Sequence, residues 1–245
     1  MQTSIKLADV KANARGRLQG HYPQVIFITI TYFIFVLFLE SCAEIFNHDT
    51  TILAFSIGAI ASFVITAINI KYKISVQNSF LKLASNKSSN SNIIFQDFVR
   101  DGGAKSKIAL TITVLYQICF FPAEVVSFMY SPEKPYLLLA LAVALLLGMV
   151  VYLILDIRLM AVYYLVNDVK DITATQALLT SFWLTKKNFF KILVLRLSFI
   201  PLYLLSFLSC GAGLLLVFPY AQTSEACMYL ELCDIKESDS STDSE

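Results

Sequence analysis

Six apolar stretches, each about long enough to cross a bilayer, run through this 245-residue chain, and basic residues collect in every second gap between them. A helix rises 1.5 Å per residue, so a ~30 Å hydrocarbon core takes about 20 residues to cross. The stretches are residues 25–41, 52–70, 108–129, 136–155, 190–209 and 211–230. Composition agrees: 57% of residues are hydrophobic and only 15% charged, against roughly 25% charged in a soluble domain. There is too little polar surface to coat a water-soluble globule. In lipid, each crossing must satisfy its own backbone, so each is expected to be helical. The expected fold is all-α: one polytopic membrane helix bundle over residues 1–233, with six transmembrane helices and short interfacial helices.

Orientation follows from Lys and Arg in the short connections. Lys6, Lys11, Arg15 and Arg17 precede the first span. Lys71, Lys73, Lys82, Lys87, Arg100, Lys105 and Lys107 lie between the second and third, and Arg158, Lys170, Lys186 and Lys187 between the fourth and fifth. The other gaps carry Glu44, His48 and Asp49, or Lys134 beside Glu133. Both termini are therefore expected on the cytoplasmic side of the membrane. A cleavable signal peptide is not expected, because the first apolar run starts only at Val25 and no A-x-A site follows it. The net charge of +1 gives no reason to expect nucleic acid.

Between the spans, Val76, Phe80 and Leu83, and then Ile93, Ile94, Phe95 and Phe98, suggest short helices on the membrane surface around the polar loop 86–92. Thr173 and Gln176 have capping-box spacing. Leu178, Leu179, Phe182 and Trp183 follow on one face, and Lys186 and Lys187 sit at the phosphate level, as in an elbow helix in the inner leaflet. The lipid bilayer is the expected partner, with anionic lipids at that leaflet. Residues 234–245 are acidic and Ser-rich and read as a disordered cytosolic tail.

Ionisable residues inside a membrane are costly and so are candidates for function. Glu124 lies in the third span, two residues after Pro122, near its outer end. Asp156 ends the fourth span and Arg196 lies a short way into the fifth, so the two are placed to pair. Asn69, Gln117 and Gln222 read as helix–helix contacts. Tyr163, Tyr164, Trp183, Tyr203 and Tyr220 read as interfacial belts or packing. Gly211 and Gly213 permit a tight reversal between the last two spans, and Pro219 with Tyr220 marks a kink in the sixth. The five cysteines show no C-x-x-C pair, and the two histidines, His21 and His48, fall in different polar segments. No catalytic, metal or cofactor motif is present, so no enzyme and no cofactor is expected.

Asn167-Asp168, Ala177, Ser181, the run Leu195 to Ile200, Gly211-Ala212-Gly213, Leu215, Pro219-Tyr220, Ser224, Ala226, Tyr229 and Leu232 form an ordered pattern. It resembles the bacterial membrane family catalogued as domain of unknown function 975, whose members end in an LSFIGW segment, a GIG turn and a PY pair. Ala14-Arg15-Gly16-Arg17-Leu18-Gln19-Gly20-His21-Tyr22 is similar to that family's AR-x-x-LKGNW opening. Pro201-Leu202 departs from the family's Gly-Trp, Pro122-Ala123 from its Pro-Gly, and Arg196 from an acidic or polar residue. The resemblance implies a polytopic plasma-membrane protein, mostly of Gram-positive bacteria, with no established reaction. The chain is thus expected to be a non-enzymatic accessory, scaffold or self-protection factor at the membrane. The alternative is a small-solute transporter or channel component.

Overall fold

The computed structural model describes residues 5–44, 52–86, 98–99, 103–129, 135–169, 172–209 and 211–242. The described residues form α1 (Leu7–Leu18), α2 (Tyr22–Glu44), α3 (Ile52–Ala84), α4 (Ala104–Phe128), α5 (Pro135–Asp168), α6 (Ala174–Lys186), α7 (Phe189–Leu197), α8 (Ile200–Leu208) and α9 (Leu214–Thr242). Expectations about Ile93, Ile94, Phe95, His48, Lys134, Cys210 and most of the polar loop fall outside the described residues.

Five helical segments are long and apolar enough to span a membrane: Tyr22–Cys42, Ser56–Ala84, Ala104–Phe128, Tyr136–Asp168 and Phe189–Leu208. The sixth stretch belongs to α9, where Gln222, Thr223, Ser224 and Glu225 break the apolar run, and it falls short of that standard. Thr223 and Ser224 are fully buried, and Thr223 and Ser224 hydroxyls bond back to the carbonyls of Pro219 and Tyr220. α9 can carry these groups because it packs among α1, α2, α3 and α8.

The bundle has two tiers. α3 and α5 have 33 and 34 residues, so each is about 50 Å long, some 20 Å more than the hydrocarbon needs. The surplus lies at the end that carries α1 and most of the basic residues, here called the basic end. The packed core is concentrated there. It joins Val10, Ala14 and Leu18 of α1 to Val76 and Phe80 of α3, Met160 and Tyr164 of α5, Ile192 and Leu195 of α7, and Met228 and Tyr229 of α9. Toward the other end the helices bare large apolar side chains, among them Phe27, Ile34, Leu37, Phe121, Leu146, Leu147 and Leu208. That is the surface hydrocarbon favours and water does not.

Two sequence expectations change here. Val76, Phe80 and Leu83 do not lie on a surface helix. α3 continues unbroken through Ala84, since residues 71–84 contain neither Gly nor Pro, and these side chains are buried in the core. The 172–189 segment does form a separate helix, and its N-cap is the Thr173/Gln176 capping box. The side it turns to the protein is Ala177, Ser181, Leu184 and Thr185. Small residues let α6 approach α5 closely enough for Ser181 Oγ to donate to the Arg158 carbonyl at 2.6 Å. Leu179 and Trp183 point outward. Finally, α9 extends through Thr242, so residues 234–242 are helical. Asp234 to Thr242 holds no helix breaker, and the helix is already nucleated on the core.

Pro201 divides the fifth stretch. It has no N–H to give the Leu197 carbonyl, and the helix breaks into α7 and α8, with Phe199 N–H bonding Arg196 O. After α8 the chain reverses through Gly211, whose φ is +82°. Gly213 then lies against α8: a Cβ there would sit 2.9 Å from Ser206 Cα. Gly213→Ala should therefore destabilise the protein by about 1–3 kcal/mol. Gly16→Ala, in α1 with open space around it, should be neutral or stabilising. Thermal unfolding in detergent checks the pair, and equal melting temperatures for Gly213→Ala and wild type would show the close approach to be wrong.

Candidate functional site

The site starts from a stripe on α3. Ser62, Thr66, Asn69 and Lys73 follow one another at intervals of four, three and four residues, so they lie on one helical face. α4 faces them with Tyr116, Gln117, Phe120 and Glu124, α5 with Tyr152 and Tyr163, and α2 with Tyr32. Together they enclose a cavity of about 470 Å³. A second cavity of about 510 Å³ shares Ser62, Phe120 and Glu124 with the first and continues to Gly58, Ala59 and Ser127. The second lies toward the end opposite the termini and is mostly apolar apart from Ser62, Glu124 and Ser127; the first reaches Lys73.

A network of four charged residues from four helices lies at the Lys73 end of the first cavity. Arg196 of α7 donates from Nε to Glu225 Oε1 of α9 at 2.9 Å and from Nη2 to Oε2 at 3.4 Å. Its Nη1 donates to Asp156 Oδ2 of α5. The other Asp156 oxygen accepts from the Tyr116 hydroxyl at 2.9 Å. The Tyr163 hydroxyl lies 3.0 Å from that of Tyr116, and since Tyr116 gives its proton to Asp156, Tyr163 is the donor. Lys73 Nζ lies 3.8 Å from Asp156 Oδ1 and 4.6 Å from the Tyr163 ring centroid. The two cations and two anions balance. A guanidinium suits this position because its planar fork can serve one carboxylate twice and still reach a second.

Below the network the helices are tied by further hydrogen bonds. Asn167 donates to the carbonyls of Ile74 and Tyr163, clamping α5 to α3. Gln77 donates to Gln222 at 3.3 Å. Tyr229 donates to Asp168 Oδ2 at 3.2 Å. Burial near Asp9 and Asp234 raises the Glu231 carboxyl.

The candidate residues of the sequence separate into three groups. Asp156 and Arg196 are brought together. Glu124 sits at the junction of the two cavities, where its Oε1 accepts from Gln117 Nε2 at 2.6 Å. Gly211, Gly213, Pro219 and Tyr220 lie apart from the cavity. Pro219 is buried inside α9, and Tyr220 packs edge-on against Phe199 with Arg15 over its ring. Asn69 and Gln117, read as helix contacts, line the cavity, while Gln222 does bridge helices. Tyr163 belongs to the site and not to an interfacial belt.

Glu225 and Lys73 were not legible as site residues. Glu225 offered a signal, an acidic residue within an apolar stretch six positions after Pro219. Lys73 was masked because hydropathy ends the second span at Ile70 although the helix goes on. Among the described residues, His, Cys, Asp and Glu side chains do not gather in threes as a metal would require, and Asp156 and Glu225 are both committed to Arg196.

The length and apolarity of five helices define a multi-pass α-helical membrane protein. Within that class, the chain belongs to the family described as Protein of unknown function (DUF975), whose model matches residues 1–236. No curated protein and no solved structure matches the chain.

Arg196→Met should destabilise the protein by about 3–5 kcal/mol, since it strands two largely buried carboxylates. Arg196→Lys should recover only part of this, because a single ammonium cannot serve both. Exchanging charges at 156 and 196 should not restore stability, since Arg196→Asp sets a second carboxylate against Glu225. Denaturation in mixed micelles measures all three, and wild-type stability of Arg196→Lys would contradict the forked arrangement.

Proposed function

We propose that this protein is a bacterial plasma-membrane carrier, or the solute-binding part of one, that holds a small polar solute in the cavity between α2, α3, α4 and α5. One observation carries the reading. Ser62, Thr66, Asn69 and Tyr152 line the cavity at a depth where lipid offers no hydrogen bonds, and none of them has a hydrogen-bond partner among the described residues. Such groups need water or a solute. The cavity's size lies within the range of about 300–1,000 Å³ common to small-molecule sites. From sequence alone an accessory or self-protection factor is the first expectation; the polar groups lining the first cavity favour the solute-binding alternative.

In this reading the basic end is cytoplasmic, in line with the excess of Lys and Arg, and α9 makes a sixth crossing shielded by its neighbours. Both termini then lie in the cytoplasm. The cavities open outward, and the Arg196 network lies at the cytoplasmic end of the first. α6 lies at the inner interface with Leu179 and Trp183 toward lipid, and the nearby Lys186 and Lys187 suit anionic headgroups. No chemistry is assigned to the solute; the role is to bind and pass it.

Single cysteines at Ser127, Ser62, Asn69 and Phe80, in a background without the native cysteines, test access to the cavities. A membrane-impermeant thiol reagent added outside should modify Ser127→Cys, then Ser62→Cys and Asn69→Cys more slowly, and leave Phe80→Cys unmodified. Failure to reach both 62 and 69 while 127 reacts would mean that the cavity is dry and the carrier reading wrong.

A further inference from the structure

We propose that the cavity takes a small organic cation with a single ammonium group, held by the Glu124 carboxylate beside an aromatic wall. This names the solute class of the carrier reading and rests on it. Charge comes first. Among the described residues that line the two cavities, the charged side chains are Lys73 and Glu124. Lys73 is ion-paired with Asp156, inside the network where two cations balance two anions. It adds no net charge to the space. Glu124 differs. Its Oε1 accepts from the Gln117 amide at 2.6 Å, and among the described residues no cation pairs with it. A neutral amide can bond a carboxylate but does not cancel its charge. Glu124 is half-buried within an apolar span, where an uncompensated charge is costly. A bound cation removes that cost.

The wall beside it selects the kind of cation. Gln117, Phe120 and Glu124 follow at intervals of three and four, so they share one face of α4. The Phe120 ring centroid lies 5.8 Å from that of Tyr152, and Tyr152 lies 4.8 Å from Tyr116. Tyr32 of α2 lines the same cavity. Aromatic rings attract an ammonium through their negative faces, most strongly where water is scarce.

Other charge classes fit less well. An anion meets an uncancelled carboxylate. A dication finds no second free carboxylate in the lining, since the Asp156 oxygens are taken by Arg196 and Tyr116. A hard metal ion wants about six oxygen ligands or more, whereas His, Cys, Asp and Glu do not gather in threes among the described residues. Ser62, Thr66 and Asn69 supply hydrogen bonds for a hydroxyl or amide elsewhere on the organic cation.

The test is calorimetric titration of the full-length protein in lipid nanodiscs, with empty nanodiscs as the blank. The probes are choline against its uncharged isostere 3,3-dimethylbutan-1-ol, and ethanolamine against ethylene glycol. At least one of the two cations should bind, and at least tenfold more tightly than its own isostere. Glu124→Gln, which keeps an acceptor for Gln117, should abolish that preference and leave the isostere unchanged. Phe120→Leu should weaken the cation by about threefold and the isostere less. Should Glu124→Gln not fold, the wild-type comparison of cation and isostere stands. Equal binding of cation and isostere, a preference that survives in Glu124→Gln, or no binding of either cation to a protein whose positions 62 and 69 are open to the thiol reagent, would overturn the cation assignment alone. A closed cavity in the labelling experiment would remove the carrier reading with it.

Discussion

The arrangement depends on the Arg196 guanidinium. Three of its nitrogens bond carboxylates from two other helices, and Tyr116 and Lys73 bring in two more through Asp156. Five helices thus meet at one charge-balanced point. Such a network contributes less net stability than its number of bonds suggests, because every charge in it is partly removed from water. Its value lies in being conditional: each member is tolerable only while the others are present. That condition fixes how α3, α4, α5, α7 and α9 sit relative to one another at the floor of the cavity.

The network also marks the boundary between two kinds of packing. On its basic side the helices bury large side chains against one another, with Phe80, Tyr164, Met160 and Tyr229 all inaccessible. On the other side they bare apolar side chains outward, and polar groups of α3, α4 and α5 line a cavity between them. α3 and α5 serve both regions because they are long enough to run through the boundary without a break. A rigid base beneath an open, polar-lined upper part is a reasonable construction for holding a solute at membrane depth, since the packed tier resists the loss of order that an unfilled cavity invites.

Much of this was legible in the sequence, and the part that was not has physical reasons. Hydropathy located the apolar runs because lipid selects side chains by transfer free energy, residue by residue. It did not locate helix ends, because a helix stops at a breaker or a cap and not where polarity begins; α3 passed from Ile70 through Lys71 and Lys73 without interruption for that reason. The Thr173/Gln176 cap was readable because its bonds are local. The face that α6 buries was not, because contact with α5 favoured small Ala177 and Ser181 over the larger Leu179 and Trp183. Asp156 and Arg196 could be paired from depth alone. Glu225 could not be joined to them without knowing that α9 returns beside α7. The stripe of Ser62, Thr66 and Asn69 was hidden by its own mildness, since hydroxyls and a lone amide barely lower the hydropathy of an apolar window.

The central claim is that water, or a solute in its place, reaches the middle of this bundle. Water-edited solid-state NMR on protein with ¹⁵N-labelled asparagine in bilayers addresses it directly. Asn69 lines the cavity, whereas the Asn167 amide is engaged by the Ile74 and Tyr163 carbonyls in the packed tier. The account predicts rapid magnetisation transfer from water to the Asn69 side-chain amide and slow transfer to that of Asn167. Equally slow transfer at both would contradict it.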